Sequence, residues 1–266
     1  MTLIESVILG LIQGLTEFLP VSSSGHLVFA ERILKIKTDD VVFIVIVHLG
    51  TLVAVVYFYR QKLWDIFRAI FTSIFRRRKD QVSKSNLLLA WYLILGTLPA
   101  VIFGLAFKDW LEKSFGSPRW TSVEFIVTGL ILILTIWAVD KSRTIRARES
   151  IAIGIAQAIA IIPAISRSGS TIATGMFLGV SKEQAAEFSF LLSIPAIGGA
   201  VILEMPKIIH LIPDIPVLMI YFVGMIVSGV VGFFSIKFLL DVLKRGKFYY
   251  FGIYCIALGI LGLLFL

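Results

Sequence analysis

The chain has 266 residues, of which 58% are hydrophobic, and it carries a formal charge of +8 and a mean hydropathy of +0.95. These values exclude an ordinary soluble domain, and several apolar runs approach the ~20 residues that a helix needs to cross a bilayer. The positive charge does not indicate nucleic-acid binding, because the basic residues lie in short segments between apolar runs, as in membrane proteins generally. A single cysteine, Cys255, excludes an intrachain disulfide.

The first segment, residues 3–35, is apolar but is interrupted midway by proline, glycine and several hydroxyl residues. This pattern predicts a re-entrant hairpin, two half-helices joined by a turn, because irregular backbone at membrane depth must be satisfied by protein or by a wet cavity. Three apolar runs that follow predict spanning helices at 41–59, 86–107 and 122–139. A second interrupted segment, 150–181, predicts another re-entrant hairpin, and spans are predicted after it at 187–204, 216–240 and 248–265.

The two interrupted segments are versions of one sequence. At a constant offset of 144 positions, the matching pairs are Glu5-Ser6 with Glu149-Ser150, Gly10 with Gly154, Gln13 with Gln157, and the turn Ser22 to Gly25 with the turn Ser166 to Gly169. Each half then holds one hairpin and three spans, an odd number, so the second half must be inserted upside down relative to the first. The sequence therefore predicts an all-α polytopic membrane protein with six spans, built from an inverted-topology repeat of residues 1–140 and 141–266.

Orientation follows from the lysine and arginine residues. Sixteen of them fall on one predicted face and seven on the other. The positive-inside rule assigns the richer face to the cytoplasm. Both termini and the mouth of the first hairpin are then expected on the extracytoplasmic side of a plasma membrane.

Among the ionisable residues of the two hairpins, Glu17, His26 and Arg167 are the informative ones, because each lies in an apolar surrounding near a turn. An uncompensated charge at that depth costs at least ~2.5–3.5 kcal/mol, so each needs a partner or a function. One interpretation is an ion pair that only locks the two hairpin tips together. The hydroxyl-rich turns favour an anion site, because each turn opens the N-terminus of a half-helix and an arginine can engage phosphate oxygens with paired donors. Candidate phosphate-binding residues are Ser22, Ser24, Gly25, Ser166, Ser168, Gly169 and Thr171.

The first hairpin carries candidate acid–base groups. Ser23 and His26 are three positions apart and share a helix face, which suits a nucleophile or water-holding hydroxyl beside a proton donor. Glu17 lies one turn after Gln13, where it could orient His26 or hold a divalent cation together with Gln13. His48, in the first predicted span, is interpreted as a packed histidine in preference to an outer contact of this site.

Three motifs resemble those of the undecaprenyl pyrophosphate phosphatase family, the bacitracin-resistance type of lipid phosphatase. Residues 13–17 (QGLTE) resemble its (E/Q)xxxE motif, residues 20–26 (PVSSSGH) its PVSS-x-GH motif, and residues 163–169 (PAISRSG) its PG-x-SRSG motif. Two positions depart from the pattern: Gln13 supplies an amide in place of a carboxylate, and Ala164 stands where the family usually has glycine. The resemblance implies that Glu17 and His26 form the catalytic pair, that Ser23 is the candidate nucleophile, with attack by water as the alternative, and that Arg167 clamps phosphate.

That resemblance further implies hydrolysis of undecaprenyl pyrophosphate to the monophosphate and inorganic phosphate on the outer face, with Mg²⁺ or Ca²⁺ as cofactor. The lipid product would re-enter cell-wall synthesis as its carrier. The alternative is a transporter or flippase of polyprenyl phosphate, since hairpins that meet at the midplane of an inverted repeat are also a transporter architecture. The sequence is compatible with a homodimer.

Overall fold

The computed structural model describes residues 1–36, 41–75, 81–107, 110, 117–210 and 215–266. The basic run Arg76 to Lys79, and also Lys37, Lys108 and Lys113, lie outside these residues, as do the side chains of Lys207 and His210. The described part of the chain is mostly helical, and no strand is found in it. Its helices are α1 (Leu3–Thr16), α2 (Ser23–Leu34), α3 (Val41–Phe58), α4 (Arg60–Phe75), α5 (Gln81–Ala106), α6 (Pro118–Leu134), α7 (Ala147–Ile159), α8 (Arg167–Phe177), α9 (Lys182–His210), α10 (Ile215–Lys244) and α11 (Tyr250–Phe265).

Four helices are long and apolar enough to cross a membrane: α5, α6 with the 3₁₀ turn after it, α9 and α10. A fifth span is formed if α3 and α4, which meet at a bend of 73°, are taken together. The last helix, α11, has 16 residues, fewer than the predicted run 248–265. The protein is thus an all-helical integral membrane protein with four to five spans by length and composition among the described residues.

Helix α4 was not expected from the sequence, which contains no spanning run there. One face of α4 carries a row of exposed aromatic rings, Trp64, Phe67, Phe71 and Phe75, in which successive rings contact each other. Its sharp bend away from α3 and its mixed polar and aromatic composition are typical of a helix that lies in the membrane interface.

Both interrupted segments form helix–turn–helix units, as predicted. α1 packs against α2 and α7 packs against α8, with the breaks at residues 17–22 and 160–166. The second helix of each unit starts with an equivalent serine cap: Ser22 Oγ accepts from the Gly25 N–H at 3.3 Å, and Ser166 Oγ accepts from the Gly169 N–H at 3.0 Å. Each cap satisfies one N–H that the start of a helix would otherwise leave unpaired.

The first helix of each unit crosses a helix of the other half of the chain. Ser6 Oγ donates to the Ile220 carbonyl at 2.7 Å, which joins α1 to α10, and Ser150 Oγ donates to the Tyr92 carbonyl at 2.5 Å, which joins α7 to α5. Glycines allow these close crossings.

A Cβ atom on Gly10 would lie 2.5 Å from the Gly224 carbonyl oxygen, and one on Gly154 would lie 2.4 Å from that of Gly96. The two crossings use equivalent residues of the repeated segments.

The first turn packs into the largest of the described clusters of buried apolar side chains. Phe18, in the first turn, packs edge-to-face against Phe190 of α9 with ring centroids 5.6 Å apart, and both rings are fully buried. Phe125 of α6 belongs to the same cluster and contacts His26 of α2. This packing holds the first turn and the start of α2 in place.

Candidate functional site

The two turns meet directly. Arg167 Nη2 donates to Glu17 Oε1 at 2.6 Å, and Ser168 Oγ donates to the Leu19 carbonyl at 2.9 Å. A third bond runs from the Ala164 N–H to Ser24 Oγ at 3.3 Å. Residues about 140 to 150 positions apart in the sequence therefore form one polar cluster.

Glu17 is the centre of this cluster. Its second oxygen, Oε2, accepts from Ser23 Oγ at 2.6 Å and from Gln13 Nε2 at 2.9 Å. Only 8% of the residue is exposed. A buried carboxylate that accepts hydrogen bonds from a guanidinium, a hydroxyl and an amide is well suited to remain ionised at this position.

A cavity of about 460 Å³ opens beside Glu17. Its polar lining comes from the two turns, the helix ends beside them and α3, and consists of Thr16, Glu17, Ser22, Ser23, Ser24, His48, Ser166, Arg167 and Ser168, with Glu31 and Glu204 from the later parts of α2 and α9. Most of the remaining lining is apolar and comes from α2, α3, the second turn and α9, including Leu27, Val28, Ile44, Ile161 and Ile197. The cavity can therefore accommodate both a charged group and an apolar chain.

Arg167 lines this cavity and keeps one buried donor without a protein partner among the described residues. Its Nη1 atom is buried and has no hydrogen-bond partner among the described residues, while Nη2 is held by Glu17. A buried guanidinium nitrogen without an acceptor costs free energy, so an anionic ligand that accepts from it would stabilise the site.

Helix ends add further donors. The first intrahelical bonds of the two second helices run from the His26 N–H to the Ser22 carbonyl and from the Ser170 N–H to the Ser166 carbonyl. The N–H groups of residues 23, 24, 167 and 168 therefore have no intrahelical acceptor, and the helix dipoles favour negative charge beside them. Two helix N-termini and one arginine converge on the same cavity.

His26 does not pair with Glu17, contrary to the orienting role expected from the sequence. Its Nδ1 bonds to the Ser22 carbonyl at 2.7 Å and its Nε2 bonds to the Tyr254 hydroxyl at 2.7 Å. The ring stacks on Tyr254 and meets Phe125 edge-on, and it does not belong to the cavity lining. In the first turn of α2, the Ser23 side chain points towards Glu17, whereas the His26 side chain points towards α6 and α11. Their spacing of three positions therefore did not give them a common partner.

His48 occupies the place that was expected for His26. Its Nε2 lies 3.7 Å from Glu17 Oε2, and it lines the cavity. The preferred interpretation of a packed histidine is therefore wrong in this respect. The sequence did contain an indication that His48 contacts the site, because an ionisable residue inside an apolar span generally faces a cavity or a partner.

Several expected phosphate-binding residues have other contacts. The Ser22 and Ser166 hydroxyls cap the two helices, and Thr171 Oγ1 is fully buried and bonds to the Arg167 carbonyl and Ser189 Oγ. The two turn glycines serve packing more than ligand approach. A Cβ on Gly25 would lie 2.7 Å from the Phe125 ring, and one on Gly169 would lie 3.0 Å from Ser166 Oγ.

The described residues around Glu17 supply too few free oxygen atoms to complete a Mg²⁺ or Ca²⁺ site by themselves. Such ions take six or more oxygen ligands, usually with several carboxylates or waters. Here both oxygens of the single carboxylate accept from protein donors, and Gln13 presents its amide nitrogen to Glu17. Among the described residues, no group of three or more His, Cys, Asp or Glu side chains could hold a metal ion.

The fold and the site define an integral membrane protein in which two helix–turn–helix units place a buried Glu17–Arg167 ion pair beside a cavity. The family model for bacitracin resistance protein BacA matches residues 6–261, so the chain belongs to this family.

Curated relatives over the whole chain carry the name undecaprenyl-diphosphatase. The protein from Korarchaeum cryptofilum is 38% identical over 264 residues, which cover 98% of both chains. The protein from Carboxydothermus hydrogenoformans is 39% identical and covers 96% of this chain and 94% of its own length. The protein from Methanobrevibacter smithii is 40% identical, with 98% and 96% covered.

Proposed function

We propose that this protein hydrolyses a polyprenyl diphosphate of the undecaprenyl class to the lipid monophosphate and inorganic phosphate. The name of its relatives supports this activity. The observation that carries it is the cavity that Arg167 lines together with Glu17, Ser23 and the starts of two helices, with Arg167 Nη1 unpartnered among the described residues. A diphosphate supplies the acceptor oxygens that these donors lack, and a prenyl chain suits the apolar lining.

Substrate binding uses the two parts of the cavity differently. The terminal phosphate accepts from Arg167 Nη1 and from the N–H groups at the starts of α2 and α8, which favour an anion. The first isoprene units lie along apolar residues such as Leu27 and Ile197. Because Arg167 keeps its second nitrogen on Glu17, the guanidinium is held in place before substrate arrives.

Ser23 is the proposed nucleophile, because its hydroxyl donates to Glu17 Oε2 at 2.6 Å and lines the cavity. Its oxygen attacks the terminal phosphorus while the bond from phosphorus to the bridging oxygen breaks and the lipid monophosphate leaves. Water then hydrolyses the phosphoserine and releases inorganic phosphate. Negative charge spreads over phosphate oxygens in such a transition state, so the arginine and the helix ends supply most of the stabilisation.

His26 contributes by positioning. Its Nδ1 donates to the Ser22 carbonyl, which is also the acceptor of the first intrahelical bond of α2. The Tyr254 hydroxyl holds the other ring nitrogen. His26 therefore fixes the start of α2, and with it the position of Ser23 beside Glu17.

The inverted repeat and its six spans are also proposals. The equivalent crossings of α1 with α10 and of α7 with α5 support them, since they use matching serine and glycine positions in the two halves. In this topology both termini and the cavity face the extracytoplasmic side of the plasma membrane, where the lipid carrier of cell-wall synthesis is regenerated. A homodimer stays a prediction.

A phosphate-release assay on the purified protein in detergent distinguishes a hydrolase from a lipid carrier. A hydrolase releases phosphate from undecaprenyl diphosphate without a second compartment, whereas a flippase of polyprenyl phosphate releases none. Release measured with and without a chelator also tests the requirement for Mg²⁺ or Ca²⁺ that the family resemblance implies. Absence of release under both conditions would contradict the proposal.

A further inference from the structure

A groove of about 360 Å³ lies between α3 and α10, and it shares no lining residue with the cavity beside Glu17. Its walls are aliphatic and aromatic, and they include Val53, Tyr57, Ile226, Val230, Phe233 and Phe234. Four of these side chains, Val53, Tyr57, Val230 and Phe234, are each more than half exposed. The groove therefore opens to the surface of the helices, where an integral membrane protein meets hydrocarbon chains.

The groove exists because the two helices touch through glycine. A Cβ on Gly50 would overlap the Met225 carbonyl oxygen, and one on Gly229 would lie 3.0 Å from the Gly50 carbonyl oxygen. Both glycines line the groove. Since they have no side chains, the contact leaves a recess between the larger residues on either side, and the close backbone contact keeps its shape.

Two cations are held on the aromatic rings at one end of this groove. Arg60 Cζ lies 4.6 Å from the centroid of the Tyr57 ring, and Lys237 Nζ lies 4.6 Å from the centroid of the Phe233 ring. The two rings contact each other, with centroids 5.8 Å apart. Attraction between a cation and a ring face restricts both long side chains, so their charges stay together at this end.

No carboxylate of the described residues forms an ion pair with either cation. The ion pairs in this part of the chain join Glu17 to Arg167 and His48, and Glu187 to Lys62. Arg60 donates to the Tyr57 carbonyl at 3.0 Å, which leaves most of its guanidinium donors for another acceptor. Arg60 and Lys237 are both exposed, so an anion in the membrane can reach them.

The position of Arg60 matches the depth of lipid headgroups. Helix α3 ends at Phe58, and α4 begins at Arg60 and turns away by 73° with its row of exposed aromatic rings. Such a helix lies at the boundary between headgroups and hydrocarbon. From this end, the groove follows α3 back from Tyr57 to Gly50, a rise of about 10 Å, which accommodates the first part of an acyl chain.

We propose that this groove binds an anionic phospholipid, with its phosphate between Arg60 and Lys237 and one acyl chain along the groove. Basic residues beside clefts between membrane helices recognise acidic headgroups. The guanidinium donates in pairs to phosphate oxygens, and the ammonium adds a compact charge. A zwitterionic phospholipid offers the same phosphate and chain, but its own cationic group is repelled by these two residues. The inference goes beyond the proposed phosphatase function and does not depend on it.

Native mass spectrometry of the purified protein tests the proposal, with phosphatidylglycerol and phosphatidylcholine of the same acyl chains titrated separately. Wild type should bind the first phosphatidylglycerol roughly 20-fold more tightly than the first phosphatidylcholine. Arg60→Gln and Lys237→Gln should each weaken phosphatidylglycerol binding about five-fold, as expected for one basic side chain near an anionic headgroup. The double variant should bind both lipids equally. A wild type without this preference would overturn the proposal.

The matched control is Arg68→Gln/Lys244→Gln, which removes one exposed cation from α4 and one from α10 outside the groove. It should keep the preference for phosphatidylglycerol, and an equal loss in this control would reduce the effect to general surface charge and overturn the proposal. Val230→Trp fills the groove and should remove most of the binding although both cations remain. Val101→Trp, at an exposed position of α5, should not. Unchanged binding by Val230→Trp would contradict a chain in the groove.

Two further results would assign the lipid or the groove differently. Arg167→Ala should keep the preference for phosphatidylglycerol, and its loss in this variant would place the lipid in the cavity beside Glu17 and overturn the proposal. The same spectra report the oligomeric state. A wild-type dimer that Val230→Trp dissociates would make the groove a contact between two copies of the chain and would equally overturn it. No measurement here uses phosphate release, so failure of the proposed function would leave the result intact.

Discussion

Arg167 Nη2 lies 2.6 Å from Glu17 Oε1, although 150 positions separate the two residues. The side chains are 16% and 7% exposed, and a buried ion pair is favourable only when further hydrogen bonds satisfy both partners. Ser23 and Gln13 satisfy Glu17, whereas Arg167 keeps one nitrogen unpaired among the described residues. A pair that only locked the tips together would not require this free donor, so the arrangement favours a ligand site.

Ser23→Ala should abolish turnover, because it removes the oxygen that attacks phosphorus. We expect a loss of roughly 10³-fold or more in kcat, as for other nucleophile deletions. Rapid quenching of wild type during turnover should trap phosphate on Ser23. Ser235→Ala is the matched control, since Ser235 Oγ only donates to the Val231 carbonyl within α10. Full activity of Ser23→Ala would show that water attacks directly.

Ala164→Gly should stabilise the protein. Ala164 has φ +58°, a left-handed conformation that costs an alanine about 1–2 kcal/mol. Glycine removes this strain but loses about 0.4–1 kcal/mol through the entropy of the unfolded chain, so the net gain should be about 0.5–1 kcal/mol. Thermal unfolding in detergent measures it.

Ala152→Gly, in the middle of α7, is the control for this substitution and should destabilise by about 1 kcal/mol. If Ala164→Gly lowered the melting temperature in the same way, the strain at this turn would not exist.

Gly10→Ala and Gly154→Ala should both destabilise the protein, by about 1–3 kcal/mol, because each new methyl group would overlap a carbonyl oxygen of a crossing helix. The similar size of the two effects tests the equivalence of the crossings. Gly198→Ala is the control, since a Cβ at Gly198 has open space around it, and it should be neutral or slightly stabilising. Free tolerance of alanine at position 10 or 154 would argue against these helix contacts.

Membrane orientation can be tested at the C-terminus. A reporter that is active only outside the cytoplasm should be active when fused after Leu266, and a reporter that requires the cytoplasm should be inactive. The opposite pattern would contradict the orientation derived from the lysine and arginine distribution.

The duplicated turns were the most informative part of the sequence, and the structure explains why. Serine and glycine at the turn are local features, so the start of a helix after each turn was predicted without knowledge of the fold, whereas the capping role of Ser22 and Ser166 was not. The buried charges of Glu17 and Arg167 then required partners of opposite charge, and neither turn contains such a partner for its own charged residue. Their contact therefore followed from the cost of burying charge.

The partners of His26 and His48 could not be obtained in this way. Which face of α2 meets Tyr254, and which face of α3 meets Glu17, depends on contacts with α6, α10 and α11 that no local pattern encodes. Helix α4 was missed for another reason, since its aromatic face is suited to an interface and does not form an apolar run.

Phosphate release from undecaprenyl diphosphate by Arg167→Ala tests the central claim most directly. We predict that the variant inserts and folds but loses about 10³- to 10⁵-fold in kcat, as when a catalytic arginine is removed from other phosphoryl-transfer sites. Arg167→Lys, which keeps the charge but not the paired donors, should retain more activity, and Arg143→Ala, at an exposed arginine, should behave as wild type. Near-normal release by folded Arg167→Ala would contradict the assignment of this cavity as the phosphate site.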